Sequence, residues 1–181
     1  MSKSKKRSYK VYTAWNYDKE EQDLNKQSEN GWQLVKGGCF HSVFEKNNNV
    51  IYRHKIDFNG DMIKDSIEKQ RYIDMFEEQG WEYINTTFNG WSYFRKVYNE
   101  NIPEKEFDIY TDNSSYIEML ARWIRVARII QIFEVLIMIF QFITTIIHQY
   151  SIDYFFFIWT LLLTLFLQFG VVQMQKKYKH C

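Results

Sequence analysis

Between Ile129 and Gln175 the chain carries only two charged residues, Glu134 and Asp153, whereas Met1 to Arg128 carries 20 Lys and Arg against 20 Asp and Glu. One soluble fold rarely segregates its apolar residues so sharply. The apolar part consists of two stretches of 19 residues, 129–147 and 154–172. A helix rises ~1.5 Å per residue and the hydrocarbon layer is about 30 Å thick, so each stretch is just long enough to cross it. The segment His148–Asp153 between them is short enough for a direct reversal. The reading is a transmembrane helical hairpin over 129–175. Arg122, Arg125 and Arg128 precede the first span, Lys176, Lys177 and Lys179 follow the second, and the connecting segment has neither Lys nor Arg. The positive-inside rule then puts both termini in the cytoplasm, with 176–181 a basic tail. Tyr150, Tyr154 and Trp159 mark the outer interface and Tyr178 the inner one.

Polar residues fall on one face of each span. Gln131, Glu134, Met138, Gln141 and Thr145 recur at steps of three and four, and Thr160, Thr164 and Gln168 recur at steps of four. Polar groups in lipid need partners, so the two stripes are expected to face each other. Antiparallel pairing brings Glu134 level with Gln168, and Thr160 or Thr164 near Gln141. Gln131, Glu134, Gln141, Thr160, Thr164 and Gln168 are therefore the candidate transmembrane interface. Glu134 lies one to two turns inside the span and is expected to reach the cytosolic interface or to pair with Lys176 or Lys177; the functional alternatives are a contact with a partner's transmembrane helix or a proton site. The same stripe leaves open a contact with another membrane protein or a homo-oligomer.

The front part repeats a pattern. Leu24…Glu29-Asn30-Gly31-Trp32-Gln33-Leu34-Val35 is followed by Val43-Phe44-Glu45-Lys46; Met75…Gln79-Gly80-Trp81-Glu82-Tyr83-Ile84 is followed by Tyr93-Phe94-Arg95-Lys96. Gly31 and Gly80, and Trp32 and Trp81, are each offset by 49 residues. In each copy a helical pattern (Asp18–Asn30, Asp61–Gln79) stops at a glycine, and the tryptophan after it folds back over the last turn. Phe76 is placed to receive Trp81, whereas Gln27 stands at the matching place in the first copy. Asn89-Gly90 is a hairpin signal, and Gly37-Gly38 turns the first copy. A strand precedes each helix, Tyr9–Trp15 and Val50–Phe58. The expected fold is α+β: a duplicated strand–helix–strand–strand domain over 1–100, with units of about 9–46 and 50–98, whose six strands and two helices form one layer. Residues 101–128 follow as a polar linker around Pro103 and a juxtamembrane helix, with Ser115 and Glu118 as its capping box.

Aromatic residues crowd the strands, mostly as core and cross-strand pairs. Trp32, Trp81, Phe44 and Phe94 are assigned to architecture. Trp15, Tyr52, Trp91 and Tyr93 are the candidate ligand surface, an aromatic cleft suited to an amphipathic small molecule or peptide. The charges of the two amphipathic helices alternate in sign and read as solvated faces. No phosphate loop, nucleophile elbow or zinc motif occurs, so no catalytic, cofactor-binding or metal residues are assigned and no enzymatic activity is expected. Cys39 and Cys181 are read as free thiols in a reducing compartment. The near-neutral front part argues against nucleic acid as a partner. The basic N-terminus runs into Tyr9-Lys10-Val11-Tyr12, so no cleavable signal peptide is expected.

The paired Gly-Trp copies, the Phe44-Glu45-Lys46 and Phe94-Arg95-Lys96 strand ends, and Ile109-Tyr110-Thr111-Asp112 resemble a bacterial family known only as a domain of unknown function, over most of residues 10–116. The resemblance implies a cytosolic domain tethered by C-terminal membrane helices and often encoded beside PadR-type repressors, and so a stress- or drug-responsive operon. The doubled unit also looks like the effector-binding modules of multidrug-responsive regulators, an analogy of fold alone. The expected role is a regulatory or accessory protein that holds a ligand- or partner-binding domain at the bacterial cytoplasmic membrane. The alternative is a small subunit of a transporter or export complex acting through its hairpin.

Overall fold

The computed structural model describes residues 4–60, 66–110, 112–148 and 151–179. The chain divides into two compact units, Met1–Met119 and Leu120–Cys181. In the first, strands β1 (Lys5–Ser8), β2 (Trp32–Lys36), β3 (Ser42–Lys46), β4 (Tyr52–Phe58), β5 (Glu82–Thr86) and β6 (Trp91–Val97) accompany helices α1 (Tyr17–Glu29) and α2 (Ser66–Glu77). Each half runs strand–helix–strand–strand, and the strand orders β1-β3-β2 and β4-β6-β5 are the same. The α+β class is as expected; the single layer is not. The strands form two three-stranded antiparallel sheets.

The first strand also lies earlier than expected. Tyr9–Thr13 is irregular and Ala14–Asn16 is a 3-10 turn, while the basic stretch Lys5–Ser8 pairs with β3. Cross-strand contacts explain this choice. Lys5 stands opposite Glu45, and the Lys6 ammonium sits 4.3 Å above the Trp32 ring while donating to Gln27 Oε1 at 2.7 Å. These contacts outweigh the higher strand propensity of Tyr9–Trp15. They also give Gln27 a task at the place where the second half has Phe76.

The inner edge strands β2 and β5 meet at a seam. The Gly37 amide donates to Asn85 Oδ1 at 2.8 Å, and Asn85 Nδ2 returns a bond to the Gly37 carbonyl at 2.9 Å. A Cβ on Gly37 would stand 2.5 Å from the Tyr93 ring, so only glycine permits this approach. At the end of α2, Gly80 has φ +83°. Its amide bonds to the Glu77 carbonyl and the Trp81 amide to that of Phe76, the paired bonds of a glycine-terminated helix. Trp81 is thereby turned back onto Phe76, Phe94 and Ile109, the buried core on the α2 side.

The outer edge of β4 is covered by α1 in an unusual way. The amides of Tyr52, His54 and Ile56 point away from β6, and each donates to a side chain of α1: Ser28 Oγ at 2.7 Å, Asn25 Oδ1 at 2.7 Å and Glu21 Oε1 at 2.8 Å. A strand exposes alternate amides and a helix repeats every 3.6 residues, so positions 21, 25 and 28 match every second amide. Ser28 also donates to Gln33 Oε1, and Gln33 Nε2 donates to the carbonyls of Asn47 and Val50, which fixes the connection into β4.

The segment read as a linker is part of the first unit. Glu104–Phe107 forms a 3-10 turn, and Phe107 and Ile109 are buried. Arg53 bonds Glu104 and Lys55 bonds Asp108. Helix α3 (Asn113–His148) is capped by Asp112, whose Oδ1 accepts from the Ser114 hydroxyl and the Ser115 amide, so the cap lies three residues before the expected one. The helix runs without a break into the first apolar stretch. Helix α4 (Ser151–Lys179) carries the second. The expected start of α2 at Asp61 and the residues Gln149 and Tyr150 of the reversal lie outside the described residues.

Replacing Ser28 by Ala leaves the Tyr52 amide and Gln33 Oε1 buried without their partner and opens almost no cavity. Ser28→Ala is expected to cost about 1–3 kcal/mol, the penalty for such orphaned groups, whereas Gln22→Ala on the solvent side stays within about 0.5 kcal/mol. Chemical denaturation of the detergent-purified chain, followed by near-UV circular dichroism, measures both.

Candidate functional site

Two concave regions of the first unit are candidates for a site. One is a cleft of about 380 Å³ at the seam, with Gln33, Glu45, Tyr52, Glu82, Tyr83 and Arg95 among its walls. Its strongest groups are engaged. The Arg95 guanidinium lies 4.4 Å above the Tyr52 ring, holds both carboxylate oxygens of Glu82, and donates to the Leu34 carbonyl at 3.1 Å. Arg95 therefore occupies the aromatic face that a cationic ligand would use, and acts as a bolt between the sheets.

The second is a pocket of about 390 Å³ where α1 and β4 meet the 105–116 segment. Tyr17, Tyr110 and Tyr116 supply rings; Asp18, Glu21, Asp108 and Asp112 supply carboxylates; Lys55 and Lys105 supply ammonium groups. The Tyr17 hydroxyl donates to the Tyr116 hydroxyl at 2.7 Å, and the rings of Tyr110 and Tyr116 lie 5.4 Å apart. Behind the wall, Tyr110 and Tyr72 each donate a hydroxyl to the fully buried Asp57. Lys55 Nζ lies 3.4 Å from Glu21 Oε2 and 3.0 Å from Asp108 Oδ1. Burial pushes the Glu21 carboxyl up to about 7 against the opposing pull of Lys55. For Lys55 itself, burial works against the charge, but Glu21 and Asp108 outweigh it and hold the pKa above the usual lysine value. These helix faces are thus not simply solvated, because Glu21 is enclosed and does structural work.

The four aromatic residues singled out from the sequence do not surround one opening. Trp15 is half-buried in the 3-10 turn. Tyr52 lines the seam cleft beneath Arg95. Trp91 is buried between Tyr17 and Phe58, with ring centroids 5.5 and 5.2 Å away. Tyr93 is buried and donates its hydroxyl to Glu20 Oε1 at 2.8 Å. The residues that sequence reasoning missed are Tyr17, Glu21, Tyr110 and Tyr116. Glu21 is one of the helix charges grouped as solvated; Tyr110 and Tyr116 fell in stretches assigned to linker and juxtamembrane helix.

In the second unit the polar stripes meet. Arg128 Nη1 donates to Gln131 Oε1 and Gln168 Oε1, Gln131 Nε2 donates to Gln168 Oε1 at 3.0 Å, and Thr160 donates to Gln141 Oε1 at 2.8 Å. Gln141 is expected near Thr160 or Thr164, and it is Thr160 that bonds it; Glu134 is expected level with Gln168. Gln168 meets Gln131, one turn before Glu134. Thr164 turns its hydroxyl to the Thr160 carbonyl of its own helix. Glu134 Oε2 and Thr145 Oγ are enclosed with no hydrogen-bond partner among the described residues. Most of both apolar stretches faces outward with Ile, Phe and Leu.

Two buried groups give the first unit opposite pH dependences. Burial pushes Glu20 up to about 7, and the Tyr93 hydroxyl only partly offsets this. An unfolded glutamate titrates near ~4.3, so the folded chain holds this proton more tightly; the stability from Glu20 is full below that value and is lost as pH rises toward 7. Burial, with Arg95 and Arg53 nearby, depresses His54 to about 3. The stability from its neutral ring is full above ~6.5 and is lost as pH falls toward 3. Glu20→Gln, which keeps an acceptor for Tyr93, should reduce the fall in thermal midpoint between pH 5 and 8. An unchanged slope would mean that Glu20 ionises as freely as in solvent.

No curated protein and no solved structure matches the chain. A family model matches residues 16–133, from just before α1 into the first apolar stretch of α3, which covers the candidate pocket and the start of the hairpin. The chain belongs to the family described as protein of unknown function DUF2812.

Proposed function

We propose that this chain is a membrane-anchored binding protein, in which the hairpin of α3 and α4 is the anchor and the pocket of Tyr17, Glu21, Tyr110 and Tyr116 is the site. The observation that carries the reading is the shared use of α3. Asn113 and Tyr116 line the pocket, and the same unbroken helix continues to His148 with two candidate membrane spans between it and α4. Both termini lie in the cytoplasm of a bacterial cell, on the strength of Arg122, Arg125, Arg128, Lys176, Lys177 and Lys179. The role is regulatory or accessory and not enzymatic, in keeping with the stress- or drug-responsive setting that the family resemblance implies. The like order of the two halves, with Gly31 and Gly80 both at positive φ, supports a duplicated unit.

A second reading has one observation in its favour. Among the described residues of the hairpin, Glu134 Oε2 and Thr145 Oγ keep hydrogen-bonding capacity unused. A helix from a transporter subunit or a second copy would supply partners, and such bonds are worth about 0.6 kcal/mol on average in a bilayer.

Fractionation of cells expressing the full chain tests the anchor. The protein is expected to sediment with membranes, to resist carbonate extraction and to be released by detergent. A membrane-impermeant maleimide should label a Ser151→Cys variant from outside intact cells and reach Cys39 only after permeabilisation. Recovery of the chain in the soluble fraction would refute the anchor, and labelling of Cys39 in intact cells would reverse the sidedness.

A further inference from the structure

The lining of the pocket at the start of α3 has a definite chemical bias. Its walls carry four carboxylates against two ammonium groups, and three phenol rings furnish its apolar surface. Each ring is held by a defined contact. Tyr17 stacks on the buried Trp91, Tyr110 is bonded to Asp57, and Tyr116 accepts from Tyr17. A preset group of ring faces beside an excess of carboxylate is the arrangement that attracts an ammonium or guanidinium group bearing a small apolar body. An anionic ligand would meet Asp18, Glu21, Asp108 and Asp112. A neutral one would add nothing to the pull of Lys55 on the Glu21 carboxyl.

On this basis, and resting on the reading of the pocket as the binding site, we propose that the DUF2812 domain binds a small organic cation between Tyr17, Tyr116 and the carboxylates of Asp18 and Glu21. The ligand's charged end lies toward Glu21 and Asp18 and its apolar body lies against the rings. One feature distinguishes this site from the seam cleft, where the aromatic face of Tyr52 is covered by Arg95.

The site also ties binding to pH. The charged and titratable groups that line the pocket with Glu21 are Asp18 on its own helix, Lys55 on β4, Lys105, Asp108 and Asp112 on the segment before α3, and the phenols of Tyr17, Tyr110 and Tyr116. Burial holds the Glu21 carboxyl near 7. A bound cation favours the ionised form, so binding releases a proton, and affinity rises with pH through about 7 and levels off above it.

The test is titration calorimetry of the full chain in detergent, with empty micelles as the blank. Benzyltrimethylammonium is the probe, and benzyl alcohol and benzoate are its neutral and anionic counterparts. Saturable binding of the cation is expected, at least tenfold tighter than either counterpart and tighter at pH 8 than at pH 6. Glu21→Gln, which still accepts from the Ile56 amide, and Asp18→Asn should each weaken it about tenfold, the scale of one desolvated cation contact, and Glu21→Gln should remove the pH dependence. Glu45→Gln in the seam cleft should leave it unchanged. Tighter binding of benzoate would overturn the cation while leaving an anchored binding domain in place. No saturable binding of any probe, or folded Glu21→Gln and Asp18→Asn variants that bind like the parent, would overturn the site itself. Neither result bears on fractionation, which tests the anchor separately.

Discussion

The first unit depends on how the outer edge of β4 is closed. An edge strand leaves alternate amides without partners, and a sheet of three strands has few other contacts to hold it. Among the described residues no seventh strand supplies the acceptors. Ser28, Asn25 and Glu21 of α1 supply them instead, from positions one and two turns apart. The consequence is long range. Helix α1 follows β1 in the first half of the sequence, yet it is fastened to the first strand of the second half. The two halves are joined at β2 and β5 by the seam and again at α1 and β4, so each stabilises the other.

The same arrangement builds the pocket. Because Glu21 must reach the Ile56 amide, Tyr17 one turn earlier is fixed against Trp91 and beside Tyr116. Lys55, which follows His54 and precedes Ile56 in β4, is then set between Glu21 and Asp108. The segment before α3 closes the remaining side, held by Phe107 and Ile109 in the core and by Tyr110 on Asp57. Packing of α1 on an edge strand thus places three phenols and several carboxylates around one space without a dedicated loop.

Much of the architecture was readable in the sequence because its signals are strong and local. Two apolar stretches of membrane length, Gly80-Trp81 after a helical pattern, and Asn89-Gly90 between strands each have one common solution. What could not be read depends on partners distant in sequence. Lys5–Ser8 resembles a charged tail until Glu45 and Trp32 are placed beside it. Ser28, Asn25 and Glu21 look like a solvated face, because polarity alone does not tell water from backbone amides as the partner. The aromatic residues chosen for a ligand surface were selected by type. Trp91 and Tyr93 are consumed by packing, and Tyr52 by Arg95. The pocket draws instead on tyrosines at the start of α1, before α3 and on its first turn, whose sequence neighbours gave no hint that they converge.

Glu21 serves two masters, since one oxygen terminates a strand edge and the other faces the pocket and Lys55. Drift at this position is therefore restricted. A shorter side chain forfeits the edge, and an apolar one forfeits both. Only a residue that keeps an acceptor at the same reach, Glu or Gln, closes the strand edge at this point, so the architecture itself narrows what position 21 can hold.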